Sequence, residues 1–187
     1  MNWQADGWLE GVAWLPSPNF GERPAGAVSL VVVHNISLPP DEFGGDWVEK
    51  FFLNQLDPQA HPYFATIADA QVSAHFYVRR DGRVIQFVGC DQRAWHAGRS
   101  CWCERDNCND YSVGIELEGT DTQPFTAEQY GALWPLLDAL RRRYPIAAIA
   151  GHSDVAPGRK TDPGPFFEWA AVRGRYPDLN LPPEIDA

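Results

Sequence analysis

No stretch of this chain stays apolar over the roughly 18 residues that a membrane-spanning helix requires, so no helical span is expected. Basic side chains are scarce. Fifteen Lys and Arg stand against 25 Asp and Glu, a formal charge of −10. Such a chain repels polyphosphate, which argues against nucleic acid as a partner but leaves room for a small anionic ligand held by local cations. The first residues, Met1 to Asp6, show neither the charged n-region nor the apolar h-region of a signal peptide, so a cytoplasmic location is expected. Repeats and low-complexity tracts are absent. Paired C-x2-C spacing is absent too. Of the four cysteines, Cys101, Cys103 and Cys108 are spaced C-x-C-x4-C and Cys90 lies apart. That spacing does not suit a structural zinc site, and reduced thiols in a surface loop are expected.

What is present reads as one globular domain. The 187 residues are 44% apolar and 21% charged, and a chain this long can bury roughly 70% of its unfolded surface. Residues 1–187 are taken as a single domain, with an irregular N-terminal arm over about 1–27 and a loose tail over about 177–187. Ser29 to Asn35 reads Ser-Leu-Val-Val-Val-His-Asn, and its unbroken apolar run, followed directly by His34, predicts a strand covered on both faces. Trp47, Val48, Phe51 and Phe52 recur at helical spacing. Residues 54–72 read as loop with short helical turns. Ser73 to Arg80 and Arg83 to Val88 flank Asp81-Gly82, a strong hairpin signal. Gly89 to Asp110 has little pattern, and excursions of that length are usually functional.

Tyr111 to Glu118 alternates, with Val113, Ile115 and Leu117 on one face and Ser112, Gly114, Glu116 and Glu118 on the other. Thr126 and Gln129 form a capping box before an amphipathic helix that contains Pro135, where a kink is expected. A short strand over Ile146 to Ala150, a loop over Gly151 to Pro165 and a last helix around 166–173 complete an α/β chain, a mixed central sheet flanked by helices with long active-site loops.

His34 and His152 share an uncommon placement, each directly following an apolar strand. Asp162 lies ten residues after His152. Two imidazoles and a carboxylate are a hydrolytic zinc set with one position left for water. The plainer reading is that each histidine caps its strand. Glu116 could take a proton from a zinc-bound water, or be an exposed strand glutamate as Glu118 is expected to be. Lys160 could stabilise an oxyanion, or be a solvated loop lysine. His75 reads as structural packing and the turn His61-Pro62-Tyr63-Phe64 as an apolar anchor. His96, in Trp95-His96-Ala97-Gly98, suits either sugar or peptide contact or a loop anchor.

Long motifs then carry a resemblance. They are Leu30 to Pro40, Glu42 to Gly45, Asp57-Pro58 with His61 to Phe64, Val72 to His75, Arg93 to Gly98, Gly114 to Thr122 and Lys160 to Pro165. Over about residues 7–175 the chain resembles cytoplasmic 1,6-anhydro-N-acetylmuramyl-L-alanine amidases of the AmpD type, within a wider family of phage-type amidases and peptidoglycan recognition proteins. The resemblance implies one zinc ion per chain on His34, His152 and Asp162. It implies Glu116 as general base and Lys160 as transition-state stabiliser. The substrate it implies is a small glycopeptide, an anhydro-muropeptide of cell-wall recycling, and contacts are expected from Asn35, Tyr63, Trp95, His96 and Ala97.

A monomer without nucleic-acid or membrane partners is expected. A non-catalytic muropeptide-binding module and a secreted amidase acting on intact peptidoglycan are the alternatives. Gln71 and Asn107 stand where AmpD-type enzymes carry arginine, with Arg99 or Arg105 as candidate substitutes.

Overall fold

The computed structural model describes residues 2–183. The architecture is the expected α/β one. Strands β1 (Ala13–Trp14), β2 (Phe20–Gly21), β3 (Leu30–Ile36), β4 (Phe76–Val78) and β5 (Val84–Gln86) precede β6 (Arg93–Ala94), β7 (Cys101–Trp102), β8 (Arg105–Asp106), β9 (Ser112–Glu118) and β10 (Ala148–Gly151). Helices are α1 (Trp47–Phe52), α2 (Pro62–Ile67), α3 (Ala127–Arg143), α4 (His152–Val155) and α5 (Trp169–Arg175). Among the described residues the main sheet has six strands in the order β1-β5-β4-β9-β3-β10. It is mixed: β3 runs parallel to both β9 and β10, β4 parallel to β9, and β5 antiparallel to β4.

The apolar run of β3 is explained by this position. Val31 and Val33 face α3 together with Val113, Ile115 and Leu117 of β9, and meet Leu133, Leu136, Leu137 and Leu140 of α3. Full burial of each such leucine contributes about 1.5–3 kcal/mol. Leu30 and Val32 point the other way, against Ala97, Ala150 and Val155. A third cluster gathers Phe51, Phe52, Phe64, Tyr77, Ile85 and Phe87 beneath α1 and α2. The face opposite α3 is therefore covered by loops and short helices, and the cleft described below opens there.

The Asp81-Gly82 turn closes the β4–β5 hairpin, with Gly82 at φ 81° and its N–H donating to the Arg79 carbonyl at 2.8 Å. The Thr126–Gln129 capping box is formed. Helix α3 continues unbroken through Pro135. Pro135 and Gly131 both lie on the exposed face, so water can satisfy the Gly131 carbonyl that proline leaves without a donor.

Several expectations are corrected. The N-terminal arm is partly in sheet: β1 pairs with β5 and β2 with β6. The start of the C-terminal tail is docked, with Leu179 and Leu181 packed on the core and the Asn180 N–H donating to the Ala147 carbonyl at 2.9 Å. Residues 184–187 of that tail lie outside the described residues. Glu118 is not exposed. It is 3% accessible because its two carboxylate oxygens accept the Gly44 N–H at 2.5 Å and the Arg80 N–H at 2.8 Å. All four cysteines are free, but Cys108 and Cys90 are buried; only Cys101 and Cys103 sit at the surface.

Candidate active site

Strand register builds the site. His34 of β3 lies directly beside Glu116 of β9, and Glu116 beside Tyr77 of β4. On the other side of β3, Gly151 pairs with Val33, so His152, the next residue and the first of α4, comes level with His34. Adjacent strands lie about 4.8 Å apart. Three parallel strands thus deliver two imidazoles and a carboxylate to one row at their carboxyl ends, where ligand sites of such sheets form. Asp162 arrives by a loop return. Its carbonyl accepts the Ser153 N–H at 2.8 Å, and the next carbonyl, of Pro163, accepts the Asn35 amide at 3.1 Å.

The donor atoms form a tight triangle. His34 Nδ1 and His152 Nδ1 are 2.9 Å apart, and each is 3.1 Å from Asp162 Oδ2. Single ring protons cannot satisfy three mutually facing acceptors at once. A cation at the centre can. A tetrahedral zinc ion with 2.0–2.1 Å bonds would set its ligands about 3.3 Å apart, close to these edges. The outer nitrogen of His152 supports the same arrangement. His152 Nε2 lies 3.2 Å from the Ala97 carbonyl, an obligate acceptor, so the proton sits on Nε2 and Nδ1 is bare. Among the described residues this trio is the one His/Cys/Asp/Glu group placed to hold a metal ion, and the cysteines do not gather into another.

Electrostatics differ sharply within the row. Burial pulls the His34 imidazole down to about 4. For Asp162 burial pushes upward, but the facing rings of His152 and His34 outweigh it and hold the carboxyl below its ordinary range. Glu116 is pushed well above its ordinary value, first by burial and then by the Asp162 charge, with Lys160 pulling it partly back. Glu116 Oε2 is buried and has no hydrogen-bond partner. A carboxyl group so placed is suited to exchange protons with a reactant in the cleft.

The cleft beside this row has a volume of about 560 Å³ and is lined by Asn35, Tyr63, Trp95, Glu116, Lys160 and Asp162, among others. Tyr63, on α2, is 39% exposed, so its ring offers an open face. Among the described residues, Lys160 is the one Lys or Arg on this lining. The model of the family described as N-acetylmuramoyl-L-alanine amidase matches residues 24–165. The chain belongs to that family.

The AmpD relatives of this amidase domain span nearly the same length as the chain itself. The 1,6-anhydro-N-acetylmuramyl-L-alanine amidase AmpD of Citrobacter freundii is 54% identical over 171 residues, 90% of this chain and 91% of the relative. The crystal structure of a selenomethionine AmpD derivative matches with a TM-score of 0.89 at 52% identity, over 93% of this chain and 98% of that one. AmiD from Escherichia coli, solved in complex with the substrate anhydro-N-acetylmuramic acid-L-Ala-D-gamma-Glu-L-Lys, matches with a TM-score of 0.60 at 31% identity, over 86% of this chain and 63% of that one.

Not every residue expected at the amidase site faces the cleft. Asn35 does, with its amide donating to Asp121 at 2.7 Å and to Pro163, which leaves its carbonyl oxygen for a ligand. Ala97 is fully buried and absent from the cleft lining, and its carbonyl serves His152 and Arg159. His96 lines the cleft but is only 9% exposed, and both ring nitrogens face protein atoms. Neither Arg99 nor Arg105 lines the cleft; Arg105 stacks 3.7 Å from the Tyr111 ring.

Sequence reasoning missed Glu118 as the anchor of the cleft loop and Asn109, whose side chain accepts the N–H groups of His96 and Ala97 at 3.2 and 2.8 Å. The shared face of Ser112, Gly114, Glu116 and Glu118 was the available signal, since a run of polar and small residues on a central strand must have partners.

Proposed function

We propose that this chain is a zinc-dependent amidase that hydrolyses the amide between the lactyl group of (1,6-anhydro-)N-acetylmuramic acid and L-alanine in muropeptides of cell-wall turnover, in the cytoplasm. The observation that carries this reading is the triangle of His34, His152 and Asp162 set beside a buried, partnerless Glu116 oxygen. Family membership and the anhydro-muropeptide bound to AmiD support the substrate class.

In this reading His34, His152 and Asp162 hold the ion. Zinc, when bound there, supplies Lewis acidity toward the scissile carbonyl and eases deprotonation of the attacking water. Glu116 takes that water's proton, and its raised affinity for protons lets it keep the proton until the leaving amine of L-alanine accepts it. The Lys160 ammonium, on the cleft wall, stabilises the negative charge that develops on the carbonyl oxygen, a role worth about 3 kcal/mol. Tyr63 and Trp95 offer aromatic faces to sugar or peptide, and Asn35 offers a carbonyl acceptor to a ligand N–H or O–H.

The test is cleavage of an anhydro-muropeptide in 18O-water, read by mass spectrometry. The expected products are a peptide with a free L-alanine amine and an anhydro-sugar carrying one heavy oxygen in its lactyl carboxylate. Chelation should abolish the reaction and zinc should restore it. Binding without cleavage would instead support a non-catalytic module, and a preference for intact wall would support the secreted alternative.

A further inference from the structure

We propose that His96 is a positioning residue that fixes the ring proton of His34, so that consecutive residues 96 and 97 orient both histidines of the trio. This inference rests on the reading of the trio as a metal site. His34 Nδ1 faces His152 and Asp162, and a ligand nitrogen must be bare, so its ring proton belongs on Nε2. His96 Nδ1 lies 3.0 Å from that Nε2. It can accept only if its own proton is on Nε2, and that nitrogen faces Ser112 Oγ at 3.2 Å. The direction is therefore set along a buried line: His34 donates to His96, and His96 to Ser112. Reversing it would put a proton on His34 Nδ1, aimed into the donor triangle. Ala97 does for His152 what His96 does for His34, through its backbone carbonyl.

The surroundings hold His96 in that pose. The ring takes the space a side chain at position 114 would need, because a Cβ on Gly114 would overlap it. His75 packs at 69° on its other side with centroids 5.7 Å apart, and accepts the Gly114 N–H on Nδ1 at 3.0 Å. The Asn109 carboxamide pins the backbone of residues 96 and 97. Glycine at 114 and serine at 112, on the same strand face as Glu116, thus form a seat for an imidazole behind the trio.

Metal affinity, measured by competition with a chromophoric chelator on the full chain, tests the role apart from turnover. Outer partners of metal-bound histidines typically change affinity 10–100-fold. His96→Leu fills much of the seat but accepts nothing and should weaken zinc binding by that factor. His96→Asn can place a carbonyl oxygen near the lost Nδ1 and should recover most of it. Equal affinity of wild type and His96→Leu would overturn the proposal, as would equal loss in both variants. In wild type, long-range proton–nitrogen NMR of the zinc-loaded protein should show both His34 and His96 protonated at Nε2. A proton on Nδ1 of either would overturn it even if the variants failed to fold. A wild type that binds no metal would instead refute the metal-site reading itself.

Discussion

Replacing Glu116 by glutamine should move stability and activity in opposite directions. Glutamine keeps the shape and removes the charge. The folded chain holds this carboxyl above its unfolded value of about 4.3, chiefly by burial, and one of its oxygens has no partner. The folded state therefore binds the proton more tightly than the unfolded state, and stability falls as pH rises through the folded value. Below about pH 4 both states are protonated and the effect vanishes. At neutral pH a buried group without its partner costs about 1–3 kcal/mol. In a chain of this size about 2 kcal/mol corresponds to a shift of roughly 4–8 °C in Tm.

The metal-free Glu116→Gln protein should thus melt several degrees above wild type at pH 7–8 and together with it at pH 4. Its turnover should drop on the order of 10²–10⁴-fold, the usual contribution of a general base, with zinc retained. Calorimetry of the chelated proteins at both pH values and single-turnover kinetics of the loaded ones provide the readouts. An equal melting difference at both pH values would refute the electrostatic reasoning. An unchanged rate would remove Glu116 from the chemistry.

Asp162→Ala should leave two imidazoles facing each other without a carboxylate and should lose stoichiometric zinc on dialysis; full occupancy by elemental analysis would refute the ligand assignment. Lys160→Ala should lower kcat about 100-fold while changing KM little, the pattern of a group that acts in the transition state, and a KM effect alone would make it a binding group. Glu118→Ala should leave the amides of Gly44 and Arg80 without their acceptor and destabilise the fold by about 2–4 kcal/mol, read as a fall in denaturation midpoint. A neutral result there would mean that water replaces the carboxylate.

The architecture was legible wherever a local signal matched its tertiary role. The apolar run at 30–33, the Asp-Gly turn at 81–82 and the Thr126–Gln129 cap each specify one conformation without help from distant residues. The N-terminal arm was not legible, because two-residue strands such as β1 carry no periodicity and owe their place to pairing with β5. Glu118 was misjudged because alternation alone cannot tell a solvent-facing carboxylate from one that caps two loops.

At the site, strand ends marked His34 and His152, and the register of β9, β3 and β10 explains why those ends converge. The sequence could not reveal that a loop segment remote from all three strands supplies the partners for their outer nitrogens. Residues 96 and 97 take on that task only through Asn109 and the space left at Gly114, contacts that exist only in three dimensions.

Diffraction from the zinc-loaded protein, recorded on both sides of the zinc absorption edge, examines the core of this account directly. It should reveal a single anomalous peak within bonding reach of His34 Nδ1, His152 Nδ1 and Asp162 Oδ2, with solvent in the remaining position. A peak elsewhere, or a fourth protein side chain closing the coordination shell, would contradict it.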